Sequence, residues 1–208
     1  HYQHCMTAPG KIKFLDRATP PHIATLVLLA GLPAMSISVF LPSLPAMSEY
    51  FGTDYAVMQL SVSLYLAATA VLQLFIGPIS DKMGRRPVLM ASLILFLLAT
   101  LGCIFSPTAP IFLAFRMAQA VVATCMVLSR AAIRDMHDGP KAASMIGYVT
   151  MGMAVVPMIG PMIGGALEET IGWKANFWLL MALGAGTFAI AYLDLGETAR
   201  KSGKTLMA

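Results

Sequence analysis

Recurring apolar runs long enough to cross a bilayer constrain this chain more than any other feature. A hydrocarbon core about 30 Å thick takes about 20 apolar residues in a helix. Residues 22–44, 55–77, 87–106, 111–134, 142–166 and 175–194 each reach that length. Hydrocarbon offers no water to backbone N–H and C=O groups, so such segments cross as helices. The chain therefore reads as an all-α membrane protein, with six transmembrane helices bundled over residues 22–194. Charged residues make up 12 % of the 208, against about 25 % in soluble domains.

The charges between the runs set an orientation. Lys11, Lys13 and Arg17 precede the first run, and Lys82, Arg85 and Arg86 separate the second from the third. Arg134 and Lys141 flank the fourth connection, and Arg200, Lys201 and Lys204 follow the sixth run. Lys174 is the sole cation in a connection on the other side. Loops rich in Lys and Arg stay in the cytoplasm. Residues 1–21 then form a cytoplasmic N-terminal tail, and 195–208 begin a cytoplasmic central loop. The stretch LPSLPAMSEYFGTDY, with Glu49 and Asp54 and no cation, reads as an outside loop, and SPTAP as a short outside turn. The net charge of +4 is thus topological and implies no nucleic-acid partner. His1 is not an initiating residue, and Met6 is a candidate start.

Enzyme chemistry finds little to work with. Cys5, Cys103 and Cys125 are scattered and odd in number, with neither a disulfide framework nor metal-ligand spacing. The four histidines lie at the terminus or in loops, and no acid lies within the core of a run. No catalytic cluster, metal site or cofactor is expected.

Four places carry information beyond span length. Between the second and third runs, Gly77 to Leu89 reads GPISDKMGRRPVL. Gly77 would let helices approach closely, Gly84 permits a left-handed turn residue, and Pro87 suits the first turn of the next helix. The same charges also suit an ordinary positive-inside loop. In the second run Ser61, Tyr65, Thr69 and Gln73 recur every four residues, one face of a helix. That stripe should face another helix or a wet cavity. In the fourth run Arg116 and Gln119 share a face. An arginine there must meet protein or water, or else snorkel to the headgroups. In the fifth run Gly147, Gly152, Gly160, Gly164 and Gly165 interleave with Pro157 and Pro161, a pattern for close packing and bending.

The stretch G-x-I-S-D-K-x-G-R-R-x-x-L closely resembles the signature between the second and third helices of the major facilitator superfamily. Gly77, Asp81, Gly84, Arg85, Arg86 and Leu89 match it, and Lys82 replaces an arginine. FLAFRMAQA resembles the family's fourth-helix motif through Phe112, Arg116 and Gln119, with Ala120 in place of a glycine. Gly147, Gly160, Pro161, Gly164 and Gly165 resemble its fifth-helix antiporter motif, with Val156 replacing one glycine. FLPSLPAM and GWKANFWLL are similar to the drug/proton antiporters of the bicyclomycin and chloramphenicol resistance branch. Many of those carry an acid where this chain has Ser38.

The resemblance implies two inverted three-helix repeats forming the N-terminal half of a twelve-span transporter. It implies proton-coupled efflux of drugs or small hydrophobic compounds across a bacterial inner membrane by alternating access. Arg116, Gln119, Tyr65, Thr69, Gln73 and Ser38 would belong to the substrate and proton pathway. Gly77, Asp81, Gly84, Arg85, Arg86 and Arg134 would form a gating latch. The implied partners are lipid, a small-molecule substrate, and a C-terminal six-helix half or second chain. The proton gradient, not a cofactor, would supply the energy. A metabolite or sugar transporter, or a non-transporting six-span scaffold, remains an alternative reading of the same spans.

Overall fold

The computed structural model describes residues 13–17 and 20–196. Lys11, Glu197, Arg200, Lys201 and Lys204 lie outside them, as do Met6, Cys5 and most of 195–208. Six helical rods are long and apolar enough to cross a membrane: 23–51, 55–83, 85–105, 109–136, 139–170 and 174–194. Several are jointed. The first comprises α1 (Ile23–Ser38), a 3₁₀ turn (Leu41–Ser43) and α2 (Leu44–Phe51). The second is α3 (Tyr55–Met83) and the third α4 (Arg85–Phe105). The fourth joins α5 (Ala109–Gln119) to α6 (Ala123–Met136) through a 3₁₀ turn at Ala120–Val122. The fifth is α7 (Gly139–Ala154) and α8 (Val156–Thr170), and the sixth is α9 (Lys174–Asp194).

Two expected loops are mostly helix. The Gly77–Leu89 stretch continues α3 through Pro78 to Met83, and α4 begins at Arg85. The connection is Gly84 alone, at φ +97°, a backbone state closed to most L-residues. The supposed outside loop at 41–51 extends the first rod. Pro42 and Pro45 each stand in the opening turn of a new helical segment, where a missing N–H has no partner to lose. Gly52, left-handed at φ +61°, ends α2 by donating its N–H to the carbonyls of Glu49 and Ser48.

Packing follows the expected repeat. The first rod packs on the fifth as the fourth packs on the second, while the third and sixth pack on each other. Three rods of alternating direction leave the next three running oppositely, so the two triplets are related by inversion. The first rod touches the second, fourth, fifth and sixth, and the fourth touches the first, second, third and fifth. At the end away from Gly84, Phe40, Phe51, Phe112, Trp173 and Phe177 form one aromatic cluster. Phe112 and Phe177 meet edge to face at 5.6 Å, and Trp173 and Phe177 at 5.8 Å. The second and fifth rods are least covered: 17 % and 11 % of their most apolar windows are buried, against 56 % of the first.

The described residues ahead of the first rod are docked on its neighbour, the sixth. Asp194, fully buried at the end of α9, accepts hydrogen bonds from the backbone N–H of Leu15 and of His22, both at 2.8 Å. It also accepts one from the Thr25 hydroxyl at 2.6 Å. Leu15 holds φ +62°, an unusual state for a branched residue, fixed here by that carboxylate.

Candidate transport site

Arg116 projects from α5 into the centre of the bundle and is wholly buried, which excludes snorkelling. Its Nη1 donates to Gln119 Oε1 at 2.7 Å and to Ser36 Oγ at 3.2 Å. Its Nη2 donates to the Ser36 carbonyl at 2.7 Å. The guanidinium lies between two rings, 4.1 Å from the Phe40 centroid and 4.2 Å from that of Tyr65. No ion pair joins it to a carboxylate among the described residues. Its counter-charge is the end of a helix. Because α1 stops at Ser38, the Ser36 carbonyl is one of the last four, which have no intrahelical donor. Those carbonyls carry the negative end of the helix dipole, and Arg116 takes one of them.

The network extends to the third rod. Gln119 Nε2 donates to Thr100 Oγ1 at 2.8 Å, and that hydroxyl donates to the Phe96 carbonyl at 2.7 Å. Arg116 thus ties the first rod, through Gln119, to the third. The polar stripe of α3 divides along its length. Ser61 is buried and turns its hydroxyl back to the Met58 carbonyl. Tyr65 is buried against Arg116, with its hydroxyl 3.5 Å from the Pro33 carbonyl. Thr69 is half-buried, and Gln73 lines a cavity with Arg130 and Arg134. Helix contact and cavity lining both occur, on successive turns.

At the Gly84 end Arg85 bridges two acids. It reaches Asp81 Oδ1 at 2.7 Å through Nη1 and Asp135 Oδ2 at 3.0 Å through Nε; Ser80 Oγ accepts from it as well. Asp81 therefore pairs with Arg85, one turn on, and no ion pair joins it to Arg134. Arg86 points elsewhere: its Nε donates to the Leu195 carbonyl at 3.0 Å, past the last turn of α9. The two adjacent arginines fasten α4 to different rods. Gly77 makes no close approach, since a Cβ there would meet nothing within 4 Å.

The glycines of the fifth rod form a seam against the first. A Cβ on Gly164 would fall 1.7 Å from the Val39 carbonyl oxygen, and one on Gly160 would fall 2.7 Å from Ser38 Cβ. Pro161 lies between them, inside α8. Gly165 has only Pro42 near, at 3.8 Å, and Gly147 has open space. Val156, standing where the motif has glycine, faces Gly31 of the first rod, where an added Cβ would lie 3.7 Å from Val156 Cγ2; the small residue is on the opposite helix. Ser38 sits in this seam and gives its hydroxyl to the Ala34 carbonyl at 2.8 Å.

Sequence reading missed Ser36, Phe40, Thr100, Asp135 and Asp194 as site or fastening residues. Asp135, beside Arg134 at the end of a rod, could have been found by its helical phase. Ser36 gives its shorter contact to Arg116 through its carbonyl, which no residue pattern marks.

Six membrane-length rods, a buried arginine and a bridged acid–base turn define a six-span membrane bundle. The chain belongs to the Major Facilitator Superfamily, whose family model matches residues 26–206. It is 34 % identical over 162 residues to a chloramphenicol resistance protein of Pseudomonas aeruginosa, covering 76 % of this chain and 39 % of that one. It is 32 % identical over 168 residues to multidrug resistance protein D of Escherichia coli K12, covering 80 % and 43 %. To multidrug resistance protein MdtL of Shewanella oneidensis it is 32 % identical over 167 residues, covering 80 % and 42 %. The chain spans about two fifths of the length of these relatives.

Proposed function

We propose that the complete protein exports drugs or small hydrophobic compounds by proton-coupled alternating access, and that this chain is its N-terminal six-helix half. The observation that carries this reading is the seam at Gly160 and Gly164, which presses the fifth rod onto the first at the backbone. It gives the half a stiff unit able to rock as one body against the other. The similarity to proteins named for chloramphenicol and multidrug resistance supports the cargo class. The uncovered faces of the second and fifth rods suit a second half seated there, with lipid around the rest. The cationic end lies in the cytoplasm of a bacterial cell, by the distribution of Lys and Arg.

In this reading the Asp81–Arg85–Asp135 bridge is a latch. Asp81, with 63 % of its side chain exposed, is free to engage the facing half while Arg85 holds it to the fourth rod. A guanidinium does not release its proton at physiological pH, so Arg116 positions the first rod and a proton-carrying acid lies beyond this half. The proton gradient supplies the energy. The test is chloramphenicol uptake by the full-length protein in inside-out proteoliposomes, with and without an imposed proton gradient. Gradient-dependent uptake is expected; uptake indifferent to the gradient would refute coupling, and no uptake of any resistance-class drug would refute the cargo assignment.

A further inference from the structure

The cavity that contains Gln73 is walled by the second, fourth and fifth rods and has a volume of about 290 Å³. Its lining is Gln73, Met126, Val127, Arg130, Arg134 and Ile146, with no acidic side chain. Arg130 and Arg134 stand one turn apart on α6, so their charges share one face. Like charges at this spacing repel, the more so when half-buried as Arg130 is. The acids at this end do not pair with them: Asp81 and Asp135 both pair with Arg85, Asp194 is taken by Leu15, His22 and Thr25, and the exposed Asp138 forms no ion pair with either arginine. Neither Arg130 nor Arg134 makes an ion pair or hydrogen bond with a described residue.

Depth orders the lining. At 1.5 Å per residue Arg134 lies about 3 Å from the Met136 end of α6, Arg130 about 9 Å and Met126 about 15 Å. The cavity is thus cationic at its mouth, while deeper in Met126 and Val127 face the Gln73 carboxamide, which by the same rise lies about 15 Å from the Met83 end of α3. The two rods that flank it are the least covered in the bundle.

We propose that this cavity binds an amphiphile by its anionic group. The carboxylate, sulfonate or phosphate sits between the guanidiniums of Arg130 and Arg134, and the apolar body lies on Met126, Val127 and Ile146. A planar, forked donor on each side suits an anion with two or more oxygens. This inference rests on the export reading where it names cargo: acid-bearing amphiphiles join the substrate class.

The test is binding, which does not depend on export. The full-length protein in phosphatidylcholine nanodiscs is titrated calorimetrically with 1-naphthoate, neutral 1-naphthamide and cationic 1-naphthylmethylamine, which share one ring system. Naphthoate is expected to bind at least about tenfold tighter than the other two, and to weaken as salt rises. Arg130→Gln should weaken naphthoate about tenfold or more, and Arg130→Lys less; Gln73→Leu tests the opposite wall. Thermal unfolding of each variant separates lost binding from lost fold. Equal affinity for the three probes, or unchanged naphthoate binding in a folded Arg130→Gln protein, overturns the proposal. Phosphatidylglycerol discs supply the second source of anion. Stoichiometric displacement of naphthoate by that lipid, with no naphthoate export, makes the occupant a lipid headgroup and overturns the cargo assignment. Drug export that persists without naphthoate binding overturns this inference and leaves the export reading standing.

Discussion

Replacing Gly164 by alanine tests the backbone seam directly. The new Cβ would fall 1.7 Å from the Val39 carbonyl oxygen and 2.7 Å from its carbonyl carbon. Ordinary carbon–oxygen contact needs about 3.2 Å or more, so the first and fifth rods must separate by about 1.5 Å. The obstacle is backbone, so no side-chain rotation relieves it. Overpacking of this kind costs about 3 kcal/mol. Alanine returns about 1 kcal/mol through helix propensity, for a net loss of about 2 kcal/mol. In a chain of this size that is a fall of about 4–8 °C in Tm. Thiol-reactive dye reads the transition through Cys103 and Cys125, which are buried and free in the folded chain, once Cys5 is replaced by serine. Gly147→Ala is the control: its Cβ meets nothing within 4 Å, so Tm should hold or rise slightly. Gly160→Ala should also destabilise, and Ser38→Gly should rescue part of it by removing the atom it strikes. A Gly164→Ala protein as stable as the parent would refute the seam.

Substitutions at four further positions test the other contacts. Asp194→Asn leaves one acceptor oxygen for three donors and sets an amide N–H against another; a loss of about 1.4 kcal/mol should speed tryptic cleavage at Lys13 and Arg17 about tenfold, and unchanged cleavage would refute the strap. Arg116→Met leaves the Ser36 carbonyl without its donor and should destabilise by about 2 kcal/mol; Arg116→Lys should restore only part, because one ammonium cannot reproduce the fork between Ser36 and Gln119, as thermal unfolding will show. Asp81→Asn should lower drug-dependent proton release by the full-length protein at equal expression and leave stability, read by thermal unfolding, within about 1 kcal/mol of the parent, since the Asp81 carboxylate is largely exposed. Asp135→Asn, on the more buried arm of the bridge, should lower both.

Much of the fold is legible in the residues because hydrocarbon allows few solutions. A run of about 20 apolar residues must cross as a helix, and six such runs with two short cationic connections settle span number and bundle class. Motif positions were also local: Gly84 is the turn residue because its φ is positive, and Arg116 is buried because a cation in a span must meet protein or water. Helix ends were less legible. Pro42 and Pro45 read as part of an outside loop and Pro157 as a bend, yet each stands in the opening turn of a helical segment, because a proline's missing N–H is harmless there.

The sequence by itself determined which segments are helices and which positions must be small or charged, since both follow from a residue's own volume, charge and backbone freedom. Tertiary structure alone decided what each meets. Gly160 and Gly164 seat the first rod whereas Gly147 and Gly77 touch nothing close, although all four are the same residue in similar settings. Arg116 finds its counter-charge in a helix-end carbonyl of the first rod, 80 positions away along the chain. Arg85 gathers Asp81 and Asp135, and that leaves Arg130 and Arg134 facing an open cavity. Such pairings depend on rod phase and crossing, which are fixed by the packing of all six rods together and by no stretch of residues alone.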